Sequence, residues 1–168
     1  QFTQSIEAGY KLIMDKSYFY SAIFHRSSRN ILTRIITEFP NTTRMVSVDQ
    51  NGGNGWNTGV ELVWSGKIND FLSVNINSTL YQNRIAAFSI INAYPSMIRF
   101  DRGEEKNFTG NVKLNGLLKF GKYTELQLTA IYLAPDIVPQ GRILARYHVD
   151  AGLTRKIQNG KGELFVNA

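Results

Sequence analysis

The side chains with the greatest chemical reach in this chain are two histidines, an acidic cluster and a group of glycines. His25 and His148 stand far apart, and neither has a partner at metal-ligand spacing, such as a histidine four residues away. Each reads as an ordinary polar residue of an interior channel or an interface. Asp101, Glu104 and Glu105 offer carboxylates for a cation or for acid/base work. Adjacent residues on an extended chain point apart, so Glu104 and Glu105 do not converge on one reacting group, and a solvated loop is the simpler reading. Gly52, Gly53 and Gly55 suggest a phosphate cradle, but no strand-to-helix context or Gly-Lys-Ser/Thr follows. The sequence presents no catalytic constellation, no metal site and no cofactor site, and the expectation is a protein that is not an enzyme.

The elements explain the chain better than the reactive groups do. In residues 107–120, Phe108, Gly110, Val112, Leu114, Gly116, Leu118 and Phe120 are apolar or glycine, while Asn107, Thr109, Asn111, Lys113, Asn115 and Lys119 are polar. Leu117 alone breaks the alternation. A sustained period of two places one face of a strand in an apolar medium and the other in water. After the Gly121-Lys122 turn, residues 123–134 repeat the pattern, with Leu126, Leu128, Ala130 and Tyr132 against Glu125, Gln127 and Thr129. Each arm runs for about a dozen residues, where a globular strand has ~5–6 and a tilted membrane strand needs ~9–11.

The same alternation recurs over residues 2–14, 56–65, 71–86 and 143–157, while 18–26 reads as a strand rich in aromatic residues and 162–168 as the start of an eighth strand. The fold class is therefore all-β: an antiparallel up-and-down meander of about eight long strands, read as a fragment of a transmembrane β-barrel. Connections run short, long, short, long, short, medium, short. In a meander the short ones then share one edge and the long ones the other, as outer membrane barrels arrange their short periplasmic turns and longer extracellular loops. Tyr18, Phe19, Tyr20, Trp64, Phe71, Phe120 and Tyr123 lie within a few residues of a short turn, where an interfacial aromatic girdle is expected.

Composition bounds the rest. The 168 residues are 43% hydrophobic and 19% charged, which argues against disorder. No apolar run is long enough for a membrane helix, and that says nothing against a barrel. There is no cysteine, so no disulfide framework or thiolate site is available. The net charge of +6 reads as Lys and Arg spread over loops and the polar strand face, with no nucleic-acid partner expected. No signal peptide precedes Gln1, and NGKGELFVNA stops within a strand pattern, so the whole chain, 1–168, is read as a partial outer-membrane barrel domain lacking plug and terminal strands.

Three segments carry a family resemblance. YFYSAIFHRSSRNILTRI, NTGVELVWSGKINDFLSVNINSTLYQNRI and YLAPDIVPQGRILARYHVDAGLTRKIQNGKGELFVNA resemble, in that order, consecutive barrel segments of TonB-dependent outer membrane receptors. The resemblance covers nearly all of the chain, although each motif alone is degenerate. It implies the C-terminal part of a receptor barrel of about 22 strands, a size class with a plugged lumen. It further implies residence in the bacterial outer membrane and import of a scarce ligand, such as an iron chelate, vitamin or glycan, powered by the TonB complex through an N-terminal plug that this chain lacks.

On this reading the surroundings are outer membrane lipid and lipopolysaccharide, and Arg29, Arg34 and Arg44 have the chemistry to meet its anionic groups or an anionic ligand. Loops on a rigid scaffold usually carry binding groups, which points to residues 30–55, 87–106 and 135–141, with Trp56, Tyr94 and Arg99 as candidate contacts for a small-molecule or oligosaccharide ligand. Two alternatives stand beside it. One is a soluble lipocalin-like up-and-down barrel holding a small apolar ligand. The other is a small autonomous outer membrane barrel.

Overall fold

The computed structural model describes residues 1–168. In chain order the strands are β1 (Phe2–Met14), β2 (Ser17–Arg29), β3 (Leu32–Glu38), β4 (Met45–Asn51), β5 (Asn54–Lys67), β6 (Leu72–Ile85) and β7 (Phe88–Asn92). There follow β8 (Ile98–Arg102), β9 (Glu105–Phe120), β10 (Thr124–Leu133), β11 (Asp136–Val138), β12 (Gly141–Ile143), β13 (Arg146–Ile157) and β14 (Gly162–Asn167). Eight of them form one antiparallel sheet in the order β1-β2-β5-β6-β9-β10-β13-β14, and the other six pair as three separate hairpins, β3-β4, β7-β8 and β11-β12. The expected meander is present.

Register decides which side chains share a face. Leu72, Leu118, Leu126, Leu153 and Val166 stand side by side across five strands, and Ala8, Ile23, Val60, Leu80 and Gly110 across another five. The opposite face carries rows such as Ser65, Asn75, Asn115, Thr129 and Asp150. A one-residue slip would exchange the two faces, so the alternation in each strand pins its pairing. Leu117 falls on the polar face, opposite Ser73 and Gln127.

The apolar face has nothing over it. Only 11 of 168 residues are buried, whereas Ile6 is 75% exposed, Phe108 71% and Val149 67%. A barrel that carried an apolar ligand in water would cover these side chains, so their exposure speaks against the lipocalin-like alternative. Backbone groups, in contrast, are largely satisfied within the strands, which hold 94 of the 108 backbone–backbone hydrogen bonds. That is the condition for a sheet to sit in hydrocarbon. The outer edges of β1 and β14 have no partner strand.

The short turns are built by local backbone chemistry. Gly121 closes the β9–β10 turn at a φ of 66°, and the β13–β14 turn passes through Asn159 and Gly160 at φ values of 56° and 89°. Glycine and asparagine reach these left-handed conformations at least cost. Elsewhere glycine makes room: Phe24, Gly59 and Tyr81 form one row on the polar face, and the two rings close over the glycine with centroids 6.4 Å apart.

Two stretches read from the sequence as ligand-contact loops contain strands. Residues 30–55 contain β3 and β4, and residues 87–106 contain β7 and β8. The physical reason is a short alternation buried by neighbouring hairpins instead of by lipid. Thr33 and Ile35 on β3, Ile90 and Asn92 on β7, and Ile137 on β11 are buried, while Leu32, Ile36, Ile91 and Ile98 remain exposed.

Candidate functional site

The three hairpins form a continuous layer over the long-connection end of the sheet. Gln50 Nε2 donates to Asn92 Oδ1 at 2.8 Å, joining β4 to β7, and Asn92 Nδ2 donates to the Tyr94 carbonyl at 2.7 Å. The Ile36 amide donates to Gln140 Oε1 at 3.2 Å, joining β3 to the β11–β12 turn. From β8, Arg102 Nη1 donates to the Pro139 carbonyl at 2.7 Å while its Nη2 holds Glu105 at 2.6 Å. Gly52 lies against Ile90 and Phe88, so a Cβ there would force the Ile90 side chain to move.

The β11–β12 hairpin is folded back onto the polar face. Asp136 accepts from Tyr81 Oη at 2.8 Å and from Asn83 Nδ2 at 2.8 Å, and Asn83 Nδ2 also reaches the Ile137 carbonyl at 3.1 Å. Asn107 Nδ2 donates to the Pro135 carbonyl at 2.8 Å. Tyr81, Asn83 and Asn107 all belong to the polar faces of β6 and β9. The hairpin therefore narrows whatever space the polar face lines. None of these partners shows in the sequence pattern, because Tyr81 and Asp136 are 55 residues apart.

Below the hairpin, the polar face is a ladder of uncharged groups. Asn77 and Asn115 both donate to Asn75 Oδ1, at 2.5 and 3.3 Å, and Thr129 donates to Asn115 Oδ1 at 3.1 Å. Toward the short turns lies an open cavity of about 680 Å³ whose lining includes Lys11, Lys16, Lys67, Asn75 and Gln127. Such a surface offers neutral donors and acceptors along its length and cations at one end.

The residues singled out from the sequence separate into two groups. Tyr94 and Arg99 share the β7–β8 hairpin. The Tyr94 ring meets Phe39 edge-on at 6.4 Å, and Arg99 Nε binds Asp101 at 2.9 Å. Trp56 lies elsewhere, at the start of β5 in the row of Ser27 and Arg84 on the apolar face, with the Arg84 guanidinium 5.2 Å from its ring. Of the arginines read as meeting anions, Arg34 is tied to Asp49 at 2.9 Å. Its guanidinium, through that hydrogen bond, holds the Asp49 carboxyl below the usual carboxylate range. His25 Nδ1 is 2.7 Å from Thr58 Oγ1, and His148 is 3.9 Å from Asp150. Glu104 is bound by Arg84 at 2.6 Å and Lys106 at 3.2 Å, and Glu105 by Arg102, so the two carboxylates serve separate ion pairs.

The aromatic residues near the short turns divide by face. Phe19 and Trp64 are paired on the apolar face, and Phe120 opposes Thr124 on it. Phe71 and Tyr123 sit in the turns themselves. Tyr18 and Tyr20 require a correction: they lie on the polar face, where Tyr20 Oη donates to Glu7 at 2.9 Å and Lys11 Nζ stands 4.6 Å over the Tyr18 ring. Neighbouring strand residues cannot all face lipid.

No curated protein and no solved structure matches the chain. A model of the outer membrane protein beta-barrel family matches it over residues 1–168. With one apolar and one polar face carried in register through eight antiparallel strands, the chain belongs to the outer membrane protein beta-barrel family.

Proposed function

We propose that the chain is part of the barrel of a TonB-dependent receptor, a non-enzymatic transporter that captures a scarce ligand at the cell surface and passes it through the lumen. Membership of the family places the chain in the bacterial outer membrane. The observation that carries the proposal is the layer of three interlocked hairpins, with β11–β12 pinned onto the polar face by Asp136. A layer of this kind gives a passage a shaped mouth. The ligand is an iron chelate, a vitamin or a glycan; the uncharged amide ladder on the polar face suits a hydroxyl-rich ligand best.

The free edges of β1 and β14 support a barrel larger than eight strands. Open sheet edges do not occur facing hydrocarbon, so in the membrane both edges require partner strands. A small autonomous barrel would instead pair β1 with β14. Cysteines at Ala8 and Val166, in the outer membrane of intact cells, distinguish the two: an efficient intramolecular disulfide means an eight-stranded closure, and its absence means intervening strands.

The functional test is removal of the β7–β8 hairpin, residues 88–102, from the full-length receptor. Ligand uptake should fall while the protein remains in the outer membrane, and uptake by the intact receptor should depend on TonB. Unchanged uptake after the deletion, or uptake that survives loss of TonB, counts against the proposal.

A further inference from the structure

On the polar face, one line of side chains runs the length of the sheet. Along β6 it is Ser73, Asn75, Asn77, Thr79, Tyr81 and Asn83, a hydroxyl or an amide at every second residue and no carboxylate or ammonium among them. Asn107, Thr109, Asn111 and Asn115 repeat this chemistry on β9 beside it, interrupted by Lys113. The line begins at Asn83, under the β11–β12 hairpin, and reaches Asn75, beside the open cavity of about 680 Å³. At ~3.4 Å per residue it is ~27 Å long. A row of neutral donors and acceptors of that length matches an extended hydroxyl-rich chain better than a compact ligand.

The far end of the line is charged, and with one sign. Lys11, Lys16 and Lys67 line the cavity, together with Tyr18 and Gln127, and no aspartate or glutamate does. The Lys67 amide donates to the Lys16 carbonyl at 2.9 Å, which sets these two lysines side by side, and Lys11 Nζ stands 4.6 Å over the Tyr18 ring. Of the three, only Lys67 is ion-paired, to Asp70 at 2.9 Å, and the Asp70 side chain is 97% exposed, so water competes for the pair. Glu7 is taken by Tyr20 Oη at 2.9 Å, and Glu61 lies one row of side chains nearer the hairpins than Lys11. The cavity is within the ~300–1,000 Å³ range of small-molecule sites, and three ammonium groups with no acid among them suit an anion.

We infer that this cavity is a binding site for the acidic groups of an oligosaccharide whose hydroxyls follow the β6–β9 line, which makes acidic glycans the substrate class. The inference rests on the transport reading above. In outer membrane barrels the short turns face the periplasm, so the ligand meets the lysines last. A lysine ammonium is a point charge without the planar fork that matches carboxylate geometry, so sugar carboxylates and sugar sulfates share the required chemistry.

The test follows uptake by cells that carry the full-length receptor, with three radiolabelled probes: trigalacturonate, its fully methyl-esterified form, and a sulfated galactan trisaccharide. The ester keeps the sugar framework and loses the charge. The wild type should take up an acid at least 10-fold faster than the ester, and the faster of the two acids names the group that is recognised. Lys11→Gln combined with Lys67→Gln should lower that acid-to-ester ratio roughly 2- to 30-fold, the range for two partly exposed charges. Ser73→Asp, which puts a carboxylate into the lining, should lower it as well, and it stands as the test if the lysine variant fails to reach the outer membrane. A wild type that favours neither acid, or variants that keep the wild-type ratio, overturns the inference. A fall of acid and ester uptake by the same factor is the second of these cases, and it means that the lysines seat another part of the protein, such as a plug. Repeating the assay without TonB separates this inference from the reading beneath it. TonB-dependent uptake with a ratio indifferent to the lysines leaves the transport reading standing and removes only the acidic substrate class, whereas uptake that persists without TonB removes the transport reading.

Discussion

Replacing Asp136 by alanine removes the carboxylate that ties the β11–β12 hairpin to the polar face. Two hydrogen bonds across the gap are lost, from Tyr81 Oη and Asn83 Nδ2, each 2.8 Å long. Bonds to a charged acceptor contribute ~1.5–3 kcal/mol each, and the partial exposure of this group places the pair at about 2–4 kcal/mol. The hairpin's open population should then rise roughly 30- to 700-fold, at one decade per ~1.4 kcal/mol. Tyr81→Phe removes one of the two bonds and should produce about the square root of that effect. The assay is hydrogen exchange of the peptide spanning 135–144, with the β9 and β10 peptides as internal controls. Faster exchange confined to the hairpin is the expected result. If Asp136→Ala leaves that peptide as protected as in the wild type, Arg102, Asn107 and Gln140 suffice to hold the hairpin, and the argument for a carboxylate latch is wrong.

Three further outcomes follow from named contacts. The Asp49 carboxyl titrates below its unfolded value because Arg34 binds it, so its contribution to the β3–β4 hairpin is complete above the ordinary carboxylate range and lost as pH falls through the lowered value; hydrogen exchange of β3 and β4 should accelerate on acidification, and Asp49→Asn should abolish that acceleration. A Cβ at Gly59 would meet the Leu80 carbonyl oxygen, whereas one at Gly116 meets nothing within 4 Å. Gly59→Val should therefore cost about 1–3 kcal/mol in unfolding experiments, and Gly116→Ala less than about 0.5 kcal/mol; equal effects would contradict the packing described. Leu114→Arg, on the lipid face near the middle of β9, should destabilise by about 2–4 kcal/mol in refolding titrations into bilayers, and Asn111→Arg, on the polar face of the same strand, by clearly less.

The sheet was legible in the sequence because lipid and lumen impose one period on every strand. Leu114 and Asn115 could be assigned to opposite faces from alternation alone, and the register bears this out. The hairpin layer was not legible, since Ile36 and Gln140 are 104 residues apart and no local pattern announces their contact. Within residues 30–55, Thr33 and Ile35 are buried in the hairpin layer, and their alternation is too short to reveal what covers it. Tyr18 and Tyr20 were placed by their distance from a turn, which fixes height along the barrel but not the face. Trp56 begins an alternating stretch in the sequence and is also a candidate ligand contact there; the register pairs it with Arg84 in the β5–β6 ladder, a neighbour the sequence does not announce.

The central claim is that the apolar face meets lipid and the polar face does not. Fluorescent probes at Leu114 and, separately, at Asn115 of the refolded full-length protein, exposed to lipid-borne quenchers, test it most directly. Strong quenching at Leu114 with little at Asn115 is the predicted result. No quenching at either position, or quenching at Asn115 alone, would contradict the account.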